Sequence, residues 1–275
     1  MKIKTIRSII ATAMLALSIV ACNAPNPSVP NATQAPEANA GEPTATVAAA
    51  TEVPTQVPPT EAEAASACDN PYLPVIAGAT WNYKLTGPVS DTYTHTVLSV
   101  ESDSFTEQDT FGVGVTRQGN WKCENGNLIA LNPPSGSSGT VASDKVKVDF
   151  QTKDVSGTTL PATVNAGDTW SQTIDLEGTE TINGTEIPAS NNVTSDCKAI
   201  GVESVTVEAG TFDAMRVECQ NVMKISIQMG ASPIDTTITL TGVSWYAENI
   251  GLVKNTITGS GLDSTTELTS YNIPQ

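Results

Sequence analysis

The chain has 275 residues, a formal net charge of −16 and only 5% aromatic residues. An acidic surface repels phosphate backbones, so we expect no binding of nucleic acid. A single histidine and the lack of any Cys-x-x-Cys pair exclude the common Cys/His zinc sites and dithiol redox centres.

The first 21 residues have the pattern of an export signal. Three basic residues, Lys2, Lys4 and Arg7, precede an uncharged apolar run that continues to Ala21. This run is shorter than the ~20 residues that a membrane-spanning helix needs. Residues 1–21 are therefore predicted to be a signal peptide and not a membrane anchor.

The signal ends in Ile19-Val20-Ala21-Cys22, which resembles the bacterial lipobox. The resemblance implies cleavage before Cys22 and a diacylglycerol on its sulfur, although an ordinary secretory signal with a chance cysteine is the alternative. Acyl chains stabilise membrane attachment by about 0.8 kcal/mol per buried CH₂, so the anchor would be effectively permanent. We expect an extracytoplasmic protein of the cell envelope, held by lipid at the outer face of a membrane. Asn23 leaves open which membrane this is.

Residues 22–67 have the composition of a linker. After Cys22 they are rich in Pro, Ala, Thr and Glu and contain no aromatic residue, Leu, Ile, Lys or Arg. Such a segment cannot form a core, and we expect disorder with extended polyproline-II stretches. At about 3.1 Å per residue, it could span on the order of 140 Å.

Residues 68–275 are predicted to be one antiparallel all-β domain. Apolar residues alternate with polar ones, as expected of strands with one buried face. The alternating sets are Phe111, Val113 and Val115; Val146, Val148 and Phe150; Ile225, Ile227 and Met229; and Ile238 with Leu240. Turn signals separate the sets at Pro133-Pro134-Ser135-Gly136, Asn183-Gly184 and Ala209-Gly210.

The two halves of the domain share two motifs. A Gly-x-Thr-Trp sequence occurs at 78–81 and again at 167–170, and Trp-x-x-Glu-Asn-x-x-Leu occurs at 121–128 and 245–252. All four tryptophans lie in these motifs. An internal duplication explains the matches most simply, with coincidence as the alternative. We interpret the tryptophans as core residues, because a chain with so few aromatics needs them there.

The segments Val205-Thr206-Val207-Glu208-Ala209-Gly210-Thr211-Phe212 and 245–254 (WYAENIGLVK) resemble the VTVPAGTF hairpin and the WYAPGVGLVK strand of a broad group of exported bacterial β-domains. Gly78, Trp81 and Tyr83 match that group's opening G-x-x-W-x-Y. The resemblance implies a strongly curved antiparallel sheet or half-barrel, similar to lipoprotein-carrier folds, and no established activity. Glu208 stands where the group has proline, and Glu248-Asn249-Ile250 replaces Pro-Gly-Val, so the turn geometries are open.

Four cysteines remain after Cys22, an even number that predicts two disulfides in an exported protein. The turn at Ala209-Gly210 lies midway between Cys197 and Cys219, so a hairpin would place these two opposite each other. We therefore predict a Cys197–Cys219 bond and, by elimination, a Cys68–Cys123 bond.

No motif indicates catalysis. His95 alternates with Tyr93 and Val97 on one face of a strand, without a Gly-x-Ser-x-Gly nucleophile context, and is predicted to be a half-exposed strand residue. The acidic residues Glu101, Asp103, Glu107 and Asp109 suggest calcium, but no Asp-x-Asp-x-Asp-Gly loop supports it. We predict neither enzyme activity nor a metal or cofactor.

Two functional hypotheses remain. The domain is a binding module, whose curved sheet shelters a hydrophobic ligand or docks an envelope protein, or it is a structural or surface-interaction element without a pocket. An open, apolar concave face would favour the sheltered ligand, and an interior filled by side chains would favour surface contact.

Overall fold

A computed structural model describes residues 66–132, 140–142, 146–182, 184–230 and 232–274. The predicted signal peptide, Cys22 and the linker up to residue 65 lie outside these residues. The predicted turn at 133–136 and Asn183 of the turn at 183–184 lie outside them as well. No helix in the described part of the chain has the length and hydrophobicity needed to cross a bilayer.

The described residues form thirteen β-strands, and the all-β prediction is confirmed. The strands are β1 (Thr80–Thr86), β2 (Asp91–Val100), β3 (Ser104–Phe111), β4 (Thr116–Glu124), β5 (Asn127–Ala130), β6 (Thr140–Ala142), β7 (Val146–Gly157), β8 (Thr169–Ile182), β9 (Thr185–Val207), β10 (Gly210–Met229), β11 (Ser232–Ala247), β12 (Gly251–Thr258) and β13 (Ser264–Asn272).

Twelve of these strands form one nearly closed, barrel-like antiparallel sheet. Consecutive strands pair around the ring, except that β4 pairs with both β5 and β6, and β5 has no further strand partner among the described residues. β1 then pairs with β13 along Thr80–Thr86, which joins the first strand to the last. The sheet is thus more closed than the half-barrel that the family resemblance implied.

The core lies inside this ring. Side chains from eight strands are almost completely buried there: Trp81, Val97, Phe105, Leu128, Phe150, Leu176, Val253 and Leu268. Their inward positions follow from strand alternation, which sends every second side chain inward. These large side chains occupy the interior, so the sheet does not surround an open channel at their level.

The two Gly-x-Thr-Trp motifs form the same turn. Gly78 and Gly167 both have positive φ values, 81° and 96°. The backbone N–H of Gly78, just before β1, donates to the carbonyl of Val97 on β2. In the same way, Gly167, just before β8, donates to the carbonyl of Ala199 on β9, and both bonds measure 2.9 Å. A left-handed conformation disfavours residues with a Cβ, which explains the glycine at both places.

The second shared motif also forms equivalent turns. Asn125 and Asn249 follow the two Trp-bearing strands β4 and β11 and have φ values of 52° and 60°. We call β1–β4 the first meander and β8–β11 the second meander. Each opens with the glycine turn and closes with the asparagine turn, so the structure supports the internal duplication. The second meander has much longer strands.

Candidate functional site

A row of interior side chains crosses the first meander. Trp81 on β1 is paired with His95 on β2, His95 with Asp109 on β3, and Asp109 with Arg117 on β4. Directly paired residues lie close enough for their side chains to interact. The register alone therefore aligns an aromatic ring, an imidazole, a carboxylate and a guanidinium inside the sheet.

His95 lies between two buried carboxylates. Its Nδ1 is 2.8 Å from Oδ1 of Asp109, and its Nε2 is 3.2 Å from Oε2 of Glu107. An ionised carboxylate only accepts hydrogen bonds, so both ring nitrogens donate and the imidazole is a cation. The side chain of His95 is only 15% exposed, which makes the prediction of a half-exposed histidine wrong. The neighbouring carboxylates on β3 explain this burial, because they compensate the charge.

The pKa of His95 reflects the same arrangement. Burial by itself lowers the pKa of His95, but the charges and hydrogen bonds of Glu107 and Asp109 outweigh burial and raise that pKa to about 10. His95 therefore stays protonated throughout the neutral range. A permanently charged imidazole cannot accept a proton from a nucleophile, so this His95 is unsuited to act as a general base.

Arg117 and three tyrosines complete this interior cluster. Burial lowers the pKa of Arg117, while the carboxylate of Asp109 opposes that effect. The guanidinium also lies 4.3 Å from the ring centre of Phe111, within cation–π range. Burial raises the pKa of Tyr83, Tyr93 and Tyr246, so all three hydroxyls remain neutral. We call His95, Glu107, Asp109 and Arg117 the ionic cluster.

The four acidic residues considered for calcium are separated by the strand register. Glu107 and Asp109 on β3 turn inward to His95, whereas Glu101 and Asp103 lie exposed in the β2–β3 turn. Within the described part of the chain, no group of three His, Cys, Asp or Glu side chains is arranged to hold a metal ion.

Both tryptophans of the first meander are buried, and both in the second are partly buried. The indole N–H of Trp81 donates to the carbonyl of Ile250 at 2.6 Å, and that of Trp170 donates to Thr159 at 3.0 Å. These bonds satisfy the indole groups internally. Their geometry supports a core role for Trp81 and Trp170, whereas Trp245 donates to the exposed Glu203 and the buried N–H of Trp121 has no hydrogen-bond partner in the described structure.

Two disulfide bonds link parts of the barrel-like sheet. Cys197 and Cys219 are direct cross-strand partners on β9 and β10 and are bonded to each other. Cys68 is bonded to Cys123 near the end of β4. Cys68 and Cys123 are buried, so this second bond fastens the start of the described chain to the sheet.

A concavity lies where the described chain begins. This groove has a volume of about 540 Å³, and we call it the tether-end groove. It is lined by Ser66, Cys68, Asp69, Asn70, Pro74, Val75, Ile76, Asn249, Ile250, Tyr271, Ile273 and Pro274. Ile76 is 39% exposed and Tyr271 is 40% exposed, so both present apolar surface to solvent. The lining contains no Lys or Arg.

A smaller depression of about 350 Å³ lies at the β1–β2–β3 edge of the sheet. Threonines form much of its lining, with Tyr83, Tyr93 and Phe111 beneath them. These three rings stack in sequence, with centroid distances of 5.1 and 4.8 Å. These rings form the aromatic part of its lining.

Sequence reasoning missed both the ionic cluster and the tether-end groove. A signal for the cluster was present, since a hairpin centred on residues 101–103 places His95 opposite Asp109. The groove had no comparable signal, because Ile76, Ile250 and Tyr271 come from three distant parts of the chain.

The chain belongs to a known family. The chain matches the DUF3108-like family over residues 87–268 and is a member of it. No curated protein sequence matches the chain.

Two solved structures are similar over 74% of the chain. One is from Bacteroides fragilis, described as a candidate exported protein with a YmcC-like fold, with 16% identity, a TM-score of 0.47 and 100% of that chain covered. The other is a candidate lipoprotein from Parabacteroides distasonis, with 20% identity, a TM-score of 0.48 and 99% of that chain covered.

Proposed function

We propose that this protein is a non-catalytic interaction module of the cell envelope, anchored by lipid on Cys22, which docks another envelope protein at the tether-end groove. The observation that carries the proposal is the exposure of Ile76 and Tyr271 on the rim of one groove. Exposed apolar side chains that cluster around a concavity are typical of protein interaction sites.

The filled interior favours docking over the sheltering of a hydrophobic ligand. Trp81, Phe105 and Phe150 are each about 1% exposed and belong to one buried hydrophobic cluster. A carrier needs a cavity of roughly 300–1,000 Å³ that encloses most of its ligand. The tether-end groove and the depression at β1–β3 are instead open to the surface.

The groove lining indicates the chemistry of the docked segment. Val75, Ile76, Ile250 and Ile273 offer apolar contacts, and Asp69 is the only acidic side chain in the lining. A chain with a net charge of −16 attracts a basic partner and repels an acidic one. We therefore expect an apolar segment flanked by lysine or arginine.

Site-specific photo-crosslinking in the native envelope tests this docking site. A photoreactive phenylalanine analogue at position 76 should give one defined product, and the same analogue at position 113 should not. Val113 is a matched control because it is 44% exposed and lies outside the groove. The same analogue at position 271 should also give a product. That second product should disappear when Ile76→Asp is introduced into the same chain.

Equal products from positions 76 and 113, or none from position 76, would contradict docking at the groove. Native mass spectrometry of the gently extracted protein provides a second test. A lipid-sized adduct retained by the folded domain would favour the ligand-sheltering alternative, which requires the interior to open.

The anchor is tested separately. Cys22→Ser should release the protein from the membrane fraction, while the circular dichroism of the β-domain stays unchanged. A Cys22→Ser protein that remains in the membrane fraction would refute lipidation at this residue.

A further inference from the structure

One strand edge of the second meander lacks a partner among the described residues. β11 pairs with β10 over its whole length, but its pairing with β12 covers only Thr241–Ala247. Gly259 and Ser260 still lie against Thr239 and Leu240 on this side. The segment Ser232–Ile238 therefore has one open side, and we call it the β11 edge. At ~3.3 Å per residue, this edge is about 23 Å long.

The backbone groups that face the open side can be identified. The carbonyl of Thr239 accepts a hydrogen bond from Oγ of Ser260 at 3.2 Å, and the carbonyl of Val243 accepts one from Nδ2 of Asn255. Ser260 and Asn255 both lie on the β12 side. Because the direction alternates along a strand, the odd-numbered residues from Pro233 to Thr237 direct their backbone groups to the open side.

The side chains of the β11 edge suit strand pairing. Ile234 and Ile238 lie on the inner face and are partly buried, while Asp235 and Thr237 are exposed on the outer face. Asp235 is the only charged residue of the segment. The edge is therefore nearly neutral, although the whole chain is strongly acidic.

We propose that the β11 edge pairs with the same edge of a second copy of this chain, antiparallel and about a two-fold axis at Thr236. In this register Ile234 lies opposite Ile238 of the second copy, and Asp235 lies opposite Thr237 of the second copy. Apolar residues meet on one face, and no like charges are opposed on the other. Such an isologous contact closes as a dimer and does not propagate.

Two features of the edge match this register. Pro233 would lie opposite Thr239 of the second copy in a hydrogen-bonded pair, which normally exchanges two N–H···O bonds. Pro233 has no N–H to donate, and the Thr239 carbonyl that would accept it already accepts a bond from Ser260. The missing donor and the occupied acceptor therefore end the pairing at the same place, so the intermolecular ladder runs from Ile234 to Ile238.

Charge substitutions at Thr237 test both the dimer and its register. The protein is the mature chain, residues 22–275 with Cys22→Ser, measured by sedimentation equilibrium over a concentration series. Thr237→Lys places a lysine opposite Asp235 of the second copy, and Thr237→Asp places an aspartate there. Two such pairs form per dimer, so we expect Thr237→Lys to tighten and Thr237→Asp to weaken the dimer, each by roughly 2- to 30-fold.

Thr237 is exposed, so both substitutions leave the core unchanged. A monomer at all concentrations, or equal dissociation constants for the two variants, would overturn the proposal. Weakening by both variants would also overturn it, since that result places the two-fold axis at Thr237.

A covalent trap gives an independent readout. Thr236→Cys should form a disulfide-linked dimer on oxidation, because residue 236 meets its own copy at the axis in a closely spaced, non-hydrogen-bonded pair. Thr241→Cys is the matched control, since position 241 is paired with Thr258 of β12. Equal crosslinking of both variants, or none with Thr236→Cys, would refute pairing at this edge.

Discussion

The two meanders share their strand order and both of their terminal turns, yet they fill the interior with different chemistry. The first meander contributes the ionic cluster and stacked aromatic rings, whereas the second contributes aliphatic side chains such as Leu176 and Ile225. The turns and the strand alternation therefore determine the topology of each half. The interior chemistry can diverge, provided that each buried charge retains its partners.

The largest expected loss of stability follows from removing one charge of the ionic cluster. Glu107→Ala leaves a buried imidazolium with one carboxylate in place of two, which should lower the free energy of unfolding by about 3–5 kcal/mol. Urea denaturation measures this loss. Glu124→Ala, which removes a carboxylate from an exposed ion pair with Lys122 on β4, is the control and should change stability little. Equal losses would mean that the cluster does not stabilise the first meander.

The two disulfides close loops of different length, and only the Cys197–Cys219 bond lies wholly within one meander. Cys68 and Cys123 are separated by 55 residues, and Cys197 and Cys219 by 22. The longer closed loop restricts the unfolded chain more, so replacing both cysteines by alanine should cost about 4 kcal/mol for the first pair and about 3 kcal/mol for the second. Thermal unfolding of the two double variants shows which of them loses more stability. A larger loss for the Cys197–Cys219 pair would contradict this expectation.

The pH dependence of stability should be specific to the first meander. His95 has a folded pKa of about 10 against an ordinary value of 6.5, so the folded state holds a proton that the unfolded chain releases between these values. Its contribution is complete below pH 6.5 and is lost as pH rises through 10. We expect a decrease on the order of a few kcal/mol across this window.

Urea denaturation of the wild type and His95→Gln between pH 6 and 10 measures this dependence. His95→Gln should remove most of the decline, whereas Leu176→Ala in the second meander should lower stability by about 2–5 kcal/mol at every pH. If stability still declines with rising pH in His95→Gln, another titratable group causes the decline.

The smallest expected effects test whether the two glycine turns are equivalent. Gly78→Ala and Gly167→Ala each place a Cβ in a left-handed conformation, although no atom lies within 4 Å of that Cβ in either case. Each substitution should therefore cost about 1–2 kcal/mol from backbone strain alone. Unequal losses, measured by urea denaturation, would show that the two turns have different structural roles.

Local patterns predicted much of this fold because strand formation and hairpin register are decided within short segments. The turn between Val207 and Gly210 is an example, since it brings Cys197 close to Cys219, and a one-residue bulge next to Arg216 completes their alignment. Local patterns do not predict the closure of the sheet, because closure depends on pairing between β1 and β13, which lie at opposite ends of the domain sequence. No pattern inside either strand identifies the other as its partner.

The candidate sites were harder to predict for the same reason. His95 and Asp109 are brought together by one hairpin, and the hairpin register could have revealed their pairing. The tether-end groove combines Ile76, Ile250 and Tyr271, which meet only after the sheet has closed. Exposure of an apolar side chain is a property of the finished surface, and the alternation of a single strand does not report it.

The Cys68–Cys123 bond also has a mechanical consequence. Any pull that reaches the domain through its N-terminal side arrives at Ser66 and is transmitted two residues later, through sulfur, to β4. Nearby, Gly126 donates to the carbonyl of Ala67, and the Asn70 amide donates to the carbonyls of Gly126 and Pro161. Tension would thus reach β4 before it could separate β1 from β13.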